Sequence, residues 1–347
     1  ACGGETDSGA TANTLQRGLP SDPETLDHHK ARSTQAAEVL RDLGEGLAGF
    51  TAMGDLVPAA AERWDISEDG LTYTFHLRDG LRWSNGDALT AEHFVAGMRR
   101  LVTPATAAFY AQMIVDIENA GSIVAGDAAP DALGVEAVDD RTLVLRLSRP
   151  TPYMLSLLTH PSTFPVHPGA IAEHGDAFAR PGKLVSNGAY RLDAWVPGSV
   201  VALKRNEHYW NNDATAVDAV NYHVIVQNNA ELNRYRAGEL HTTSTVPPDA
   251  FAQVREEYGD ERRVAPYLGV YYYGYNMAKP PLRDNAALRQ ALSMAIDREQ
   301  LAEKIMGRGE APAYSWVPPG VNNYEPTKVS FAALGKEDRE KLARLRY

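Results

Sequence analysis

The sequence predicts a mixed fold of the α/β or α+β class. The chain has 347 residues, 44% hydrophobic and 23% charged, which is an ordinary globular composition and enough for about two domains. Several short segments alternate apolar and polar side chains, as half-buried strands do, and other segments repeat apolar side chains at helical spacing. This mixture of strand and helix patterns along one chain indicates the fold class.

The clearest strand pattern covers residues 71–78. Tyr73, Phe75 and Leu77 alternate there with polar side chains, which predicts one buried face. The turn signals DG and SNGD follow this segment. The other predicted strands cover residues 15–20, 141–148, 188–194, 199–205 and 220–226.

Helix predictions depend on capping residues as well as on spacing. Gly44 or Gly46 is expected to end the first helix, because glycine is favoured just beyond helix ends. Thr90 is a predicted N-cap, and Asp297 and Gln300 have capping-box spacing at the start of the last of these helices. The predicted helices cover residues 34–47, a segment that begins after Thr90, residues 284–296 and residues 297–307.

A tyrosine-rich segment, YLGVYYYGYNM at 267–277, holds five of the sixteen tyrosines within nine positions. As a strand it would place Tyr271, Tyr273 and Tyr275 on one face and Tyr272 on the other. Such a strand is too polar for an ordinary core and too aromatic for an exposed surface. We therefore expect one face to meet a packed neighbour or a ligand.

Composition excludes several classes of function. The net charge is −11 and no basic stripe is present, which argues against nucleic-acid binding. No apolar run approaches the roughly 20 residues that span a bilayer as a helix. The ten histidines form no H-E-x-x-H motif, and the chain has no C-x-x-C, so we predict no metal site.

No catalytic or cofactor-binding motif is present in a suitable context. GEGLAG at 44–49 has the spacing G-x-G-x-x-G, but a predicted helix precedes it where a dinucleotide site needs a strand. No G-x-S-x-G elbow occurs. We expect neither an enzyme nor a bound cofactor, and a hydrolase with dispersed catalytic residues is the alternative from a different class.

Cys2 is the single cysteine of the chain. It follows a small residue and precedes GGETDSGATAN, as at the processing site of a bacterial lipoprotein. On this interpretation Cys2 carries a lipid anchor in the membrane, and residues 1–14 form a flexible tether. A tag scar or an ordinary frayed N-terminus is the alternative.

Several sequence runs follow one another in a recognisable order and spacing. They include LDHHK at 26–30, RDLGEGL at 41–47, FHLRDGLRWSNGDALTAEHFV at 75–95, SNGAYRL at 186–192, YWNN at 209–212 and YYYGYN at 271–276. Together these runs resemble the peptide/dipeptide/nickel branch of the solute-binding proteins that serve ABC transporters. The resemblance implies a two-lobed periplasmic-binding-protein fold with an extra N-terminal subdomain. It implies lobe I at 15–45 and 170–265, its subdomain at 46–169, and the start of lobe II at 266–347.

The resemblance also implies a function. A monomer in the periplasm or cell envelope would capture short oligopeptides in a cleft between the lobes and deliver them to an ABC permease and ATPase complex. Within the family, a murein peptide, a metal chelate or haem is the alternative ligand, and a sensor the alternative role.

Seven positions match ligand-facing positions of the family. Tyr110 and Tyr272 keep its aromatic character, whereas Arg32 and Gly274 each stand where a close relative has glutamate. Loss of two carboxylates and gain of a guanidinium should disfavour cationic peptides and favour neutral or acidic ones. The implied ligand-binding residues are Arg32, Thr34, Tyr110, Ser244, Thr245, Tyr272 and Gly274.

Family members are longer than this chain. The resemblance implies that the residues for the α-ammonium and carboxylate of a peptide lie in the additional part, so we expect an incomplete second lobe and weak binding. KEDREKLARLRY at 336–347 has helical character without a stop signal. The chain is a fragment, a proteolysed product, or a shortened gene product that no longer transports, possibilities that the sequence leaves open.

Overall fold

The computed structural model describes residues 13–265, 267–321 and 323–347. Cys2 and most of the predicted tether at 1–14 lie outside these residues. The chain forms two compact units, the first ending at Thr245 and the second beginning at Val246. The lobe and subdomain boundaries inferred from the resemblance stay predictions.

The strands lie within the first unit. One sheet has the order β1-β10-β9-β8, with β1 parallel to β10 and the other pairs antiparallel, and a second, antiparallel sheet has the order β4-β5-β7-β6. A short hairpin pairs β2 with β3. The strands are β1 (Thr14–Leu19), β2 (Ala48–Phe50), β3 (Leu56–Pro58), β4 (Ala61–Ile66), β5 (Thr72–Leu77), β6 (Val135–Asp139), β7 (Thr142–Arg146), β8 (Tyr190–Val196), β9 (Val200–Arg205) and β10 (Ala219–Val224).

Helices connect and cover the sheets, with short 3₁₀ turns between them. The last α-helical turn before 301 continues as a π-helix, Leu301–Met306. The α-helices are α1 (Thr34–Leu43), α2 (Ala91–Val102), α3 (Ala120–Ala125), α4 (Met154–Leu157), α5 (Pro168–His174), α6 (Asn228–Arg236), α7 (Phe251–Tyr258), α8 (Ala286–Ala295), α9 (Arg298–Gln300) and α10 (Lys336–Arg346).

The predicted elements of the first unit are confirmed. Each predicted strand has its counterpart in β1, β5, β7, β8, β9 or β10, and β5 buries Tyr73, Phe75 and Leu77 as expected. α1 ends before Gly44, and α2 begins after Thr90, whose side chain takes part in a capping box.

Two hydrophobic cores hold this unit together. One packs α2 on the sheet β4-β5-β7-β6, and its fully buried side chains include Phe75, Phe94 and Leu145. The other packs α1 on the sheet β1-β10-β9-β8 around Leu19 and Tyr222. These cores position the loops that join the sheets and helices. Two of the predicted site residues, Arg32 and Tyr110, lie in such loops.

The second unit is helical in its described residues, and α8 is confirmed as predicted. Asp297 accepts a hydrogen bond from the Gln300 backbone, as its capping role requires. The helix expected over 297–307 is instead the single turn α9 followed by the π-helix, which ends at Gly307 in left-handed conformation.

The strand considered for 267–277 is not present. The residues of this segment have no regular secondary structure and pair with no strand among the described residues. Alternation of side chains does not make a strand without a partner for the backbone N–H and C=O groups. Tyr271, Tyr272 and Tyr273 are all exposed.

Candidate functional site

The first two candidate residues lie at the start of α1: Arg32 in the loop before the helix and Thr34 as its first residue. Ser33 caps α1, since its hydroxyl accepts a hydrogen bond from the Ala36 backbone at 3.1 Å. The Glu24 carboxylate accepts from the backbone N–H groups of both Arg32 and Ser33. Burial alone would raise the pKa of Glu24, but these bonds and one from the Ser33 hydroxyl hold it below its ordinary value. The backbone beneath Arg32 is therefore fixed.

A buried ion pair between Arg100 and Asp27 stabilises the chain just before this loop. Arg100 of α2 donates to both carboxylate oxygens of Asp27, at 2.8 and 2.6 Å, and to Nδ1 of His29 at 2.6 Å. Burial raises the pKa of Asp27, but the Arg100 hydrogen bonds and charge outweigh it and lower the pKa overall. Burial, with the charges of His28 and Arg100, lowers the pKa of His29. His29 is therefore neutral and able to accept.

The adjacent histidines His28 and His29 lie in a turn, and their rings contact each other at 4.3 Å between centroids. Burial lowers the pKa of His28 to about 4. In the described residues no group of three His, Cys, Asp or Glu side chains is placed to hold a metal ion.

Tyr110 lies against Arg32. Its hydroxyl donates to the Arg32 carbonyl at 3.3 Å, and its ring makes edge contacts with Phe109 at 4.9 Å and His160 at 4.6 Å between centroids. The guanidinium of Arg32 lies 5.6 Å from the centre of the Phe109 ring, within cation–π range. Phe109 is 56% exposed. A cation and three rings thus form one cluster, which we call the Arg32 surface (Arg32, Phe109, Tyr110 and His160).

Phe109 and His160 were not among the predicted site residues. In the sequence, the position of Phe109 next to Tyr110 is a weak signal for a shared site. No feature of the sequence connects His160 to Tyr110. Burial and the charge of Arg41 lower the pKa of His160 to about 4. The neutral ring can therefore accept at Nδ1 from the Ser162 backbone, at 3.2 Å.

Ser244 and Thr245 end the first unit, in a segment that borders β1. Thr242 forms a parallel bridge with Arg17, and the Gly18 N–H donates to the Thr242 carbonyl at 3.3 Å. Glu231 of α6 accepts from the backbone N–H of Ser244 at 2.7 Å and from its hydroxyl at 2.9 Å. The side chain of Ser244 is exposed beyond these contacts.

Tyr272 and Gly274 belong to the second unit. Tyr272 is 59% exposed and packs against Trp316, which is 69% exposed, with 4.5 Å between ring centroids. A Cβ at Gly274 would meet nothing within 4 Å, so packing does not require glycine there. Tyr275 anchors the segment, because its hydroxyl donates to the Arg289 carbonyl of α8 at 2.9 Å. Trp316 was not predicted as a site residue.

The structure thus brings Arg32 and Tyr110 together directly, with Thr34 close by in sequence as the first residue of α1. Ser244 is held by a different contact, through Glu231, and Thr245 follows it in the chain. Tyr272 and Gly274 lie on the second unit with Trp316. The surfaces offer guanidinium, hydroxyl and aromatic groups, which suit binding of an amphipathic ligand. No helix of the described residues is long and apolar enough to cross a membrane.

Comparison with known proteins decides the family. A profile described as "Bacterial extracellular solute-binding proteins, family 5 Middle" matches residues 55–344. The chain belongs to family 5 of these solute-binding proteins. The predicted membership in the peptide-binding branch is supported by similarity to the periplasmic oligopeptide-binding protein OppA of Escherichia coli K12. This relative is 38% identical over 338 residues, which are 96% of this chain and 62% of the relative.

Other members of the family differ in what their names say they bind. The probable deoxycholate-binding periplasmic protein YgiS of E. coli K12 is 40% identical over 325 residues, 93% of this chain and 60% of that protein. The solved structure of the E. coli murein tripeptide binding protein MppA has a TM-score of 0.93 and 35% identity, covering 97% of this chain and 66% of that one.

The structural match confirms the predicted α/β periplasmic-binding-protein fold. This family 5 chain spans about 60% of the length of the curated relatives it matches, and about two thirds of the solved structure.

Proposed function

We propose that this protein is the substrate-binding component of an ABC importer and captures short oligopeptides. The observation that carries the proposal is the placement of aromatic rings at both predicted aromatic contact positions, the half-buried Tyr110 and the exposed Tyr272, on segments that are fixed by hydrogen bonds. The 38% identity to an oligopeptide-binding protein supports peptides as the ligand class. Capture and delivery need no covalent chemistry, and the protein is not an enzyme on this proposal.

Tyrosine suits a site that must accept varied peptides. Its ring packs against apolar side chains, and its hydroxyl tolerates polar ones. A peptide main chain, common to all such ligands, can be bound by backbone groups in the manner of an added strand. In this chain the Tyr110 hydroxyl already donates to the Arg32 carbonyl. The ring of Tyr110 is therefore the part that would contact a ligand.

Arg32 is proposed to set a charge preference for neutral or acidic peptides. Its guanidinium makes no ion pair among the described residues and lies over the exposed Phe109 ring. The Glu24 carboxylate bonds to the Arg32 backbone and not to its side chain. Thr34, Ser244, Thr245 and Gly274 add small or hydroxyl side chains and no charge.

Location and partners follow from the same proposal. The protein would act in the periplasm or cell envelope as a monomer, next to a permease and ATPase complex, without nucleic acid or cofactor. The names of its relatives as periplasmic proteins support this location.

Cys2 would carry the lipid anchor, which metabolic labelling with palmitate tests. Loss of label in Cys2→Ser is the expected result, and a labelled variant would contradict it.

Isothermal titration with tripeptides to pentapeptides tests peptide capture. We expect weak but saturable binding for this chain. Tyr110→Ala should weaken binding about tenfold, because a packed aromatic ring is lost. Tyr153→Ala is the control, since Tyr153 is an exposed tyrosine of the same unit that belongs to no predicted contact. Equal affinities of both variants and the unchanged protein would contradict the role of Tyr110.

A second candidate ligand is an amphipathic organic carboxylate of the bile-acid type. The Arg32 surface favours it specifically, because a guanidinium lies beside an exposed phenylalanine ring. The 40% identity to a probable deoxycholate-binding protein supports it as well. Deoxycholate should then compete with peptides in the titration. Binding of deoxycholate without any peptide binding would favour this candidate over the first.

A further inference from the structure

Glu231 is a buried carboxylate with no exposed surface at the end of the first unit. It lies on α6 and accepts two hydrogen bonds from Ser244, one from the backbone N–H at 2.7 Å and one from the hydroxyl at 2.9 Å. A serine has two donors in total, its N–H and its O–H. Both donors of Ser244 are therefore committed to Glu231.

The carboxylate is fitted closely between α6 and β1. A Cβ added at Gly18 of β1 would lie 1.7 Å from one carboxylate oxygen of Glu231, so only glycine allows this placement. The same Gly18 donates its N–H to the Thr242 carbonyl at 3.3 Å. Glu231 and β1 thus hold the 242–244 segment from two sides.

We propose that Glu231 is a positioning residue that makes Ser244 an acceptor-only contact for the ligand. With both donors committed, Ser244 offers only acceptors: the two lone pairs of its hydroxyl oxygen and its carbonyl oxygen. Such a group selects a ligand N–H, which every peptide main chain supplies. This inference rests on the proposed peptide-binding function, because it needs Ser244 to face the peptide.

Glu231→Gln is the sharpest variant for this inference. The carboxamide oxygen can still accept from the Ser244 N–H, but the NH₂ group would donate to the Ser244 hydroxyl and free its O–H. Ser244 would then present a donor, where the ligand N–H needs an acceptor. We expect peptide affinity to fall five- to tenfold, with Tm nearly unchanged because shape and burial are kept.

A peptide series separates this role from a purely structural one. Analogues methylated at successive backbone nitrogens lose one N–H each. One of them should bind the unchanged protein about tenfold more weakly, and Glu231→Gln should bind that analogue and the parent peptide equally. The loss of that difference in the variant is the coupling expected if Ser244 accepts from this N–H.

Gly18 provides a second, independent variant. Gly18→Ala should displace the Glu231 carboxylate from its place beside β1. It should therefore weaken peptide binding as much as Glu231→Ala, which removes the carboxylate. The double variant should be no weaker than Glu231→Ala alone, since the smaller side chain leaves room for the new methyl group. Additive losses would contradict the placement of Glu231.

The decisive comparison is titration of the unchanged protein and Glu231→Gln with the parent peptide and its methylated analogues. Binding by the unchanged protein with equal affinity in Glu231→Gln would overturn the positioning role alone. No peptide binding by the unchanged protein would overturn the proposed function, and this inference with it. Weaker binding of the parent peptide by Glu231→Gln, with the Tm of the unchanged protein and with the effect of one N-methylation lost, would support both the positioning role and the proposed function.

Discussion

The Tyr110 hydroxyl donates a hydrogen bond of 3.3 Å to the backbone carbonyl of Arg32, 78 residues earlier in the chain. The bond joins the side chain of an aromatic residue to the backbone of a cationic residue, and the family resemblance implies both residues as ligand contacts. It also fixes the loop from which the Arg32 guanidinium extends over Phe109. The first prediction concerns what this guanidinium selects.

Arg32→Glu should reverse the charge preference for peptides. The unchanged protein is expected to bind a glutamate-containing tripeptide several-fold more tightly than a lysine-containing one, and the variant should do the opposite. Each preference should weaken with salt, because exposed charges are screened. Isothermal titration at low and high ionic strength measures both effects.

Arg191→Glu is the matched control, because Arg191 is an exposed arginine on β8 outside the predicted site. It changes the net charge by the same amount and should leave the preference unaltered. Tighter binding of lysine-containing peptides by the unchanged protein would show that Arg32 does not set the preference.

Asp27→Asn should destabilise the first unit strongly. The Asp27 carboxylate is 5% exposed and its partner Arg100 is 17% exposed. Removing one charge of a buried pair leaves the other uncompensated, which costs about 3–5 kcal/mol. Urea unfolding measures the free energy. Asp65→Asn at an exposed ion pair should change it little, and an equally small change in Asp27→Asn would contradict the role of the buried pair.

Stability should depend on pH through His160. Its pKa in the folded protein is about 4, below the ordinary value of 6.5. The unfolded chain therefore binds the proton first, so the stabilisation is present above pH 6.5 and is lost as pH falls towards 4. Because the ring is partly exposed, we expect a loss of roughly 1 kcal/mol between pH 7 and 5.

His160→Asn isolates this contribution, since asparagine can also accept from the Ser162 N–H as a capping residue. The free energies of unfolding of the unchanged protein and His160→Asn should differ less at pH 5 than at pH 7. The unchanged protein should lose more stability between these two pH values. Parallel pH profiles would mean that His160 titrates alike in the folded and unfolded chains.

Trp316 should report ligand binding. It is 69% exposed and contacts Tyr272, a predicted ligand contact. A bound peptide that covers this pair should shift tryptophan emission to shorter wavelength, and Trp316→Phe should abolish the shift while keeping most of the affinity. A shift that persists in Trp316→Phe would place the ligand elsewhere.

Much of the fold was predictable because its signals are local. The alternation in β5 and the threonine before α2 depend on a few neighbouring residues, and both predictions are confirmed. The tyrosine-rich segment has an equally strong alternation but is not a strand. Pairing requires a partner that alternation cannot specify, which is why this expectation was wrong.

The candidate site was less predictable, because its contacts join distant residues. His160 and Trp316 become neighbours of predicted residues only through the fold, as does Phe109 of Arg32. Glu231 carries no signal at all: an acidic residue on a helix is typical of a solvated face, yet this one is buried against Ser244 and Gly18. The roles of the seven predicted contact residues stay predictions.

The most direct test of peptide capture is selection of ligands from a mixed pool of tripeptides to pentapeptides, with deoxycholate included, followed by mass spectrometry of what remains bound. The proposal predicts recovery of short peptides, with acidic and neutral sequences enriched over lysine-rich ones and with lower recovery by Tyr110→Ala. Recovery of no peptide, or of deoxycholate alone, would contradict it.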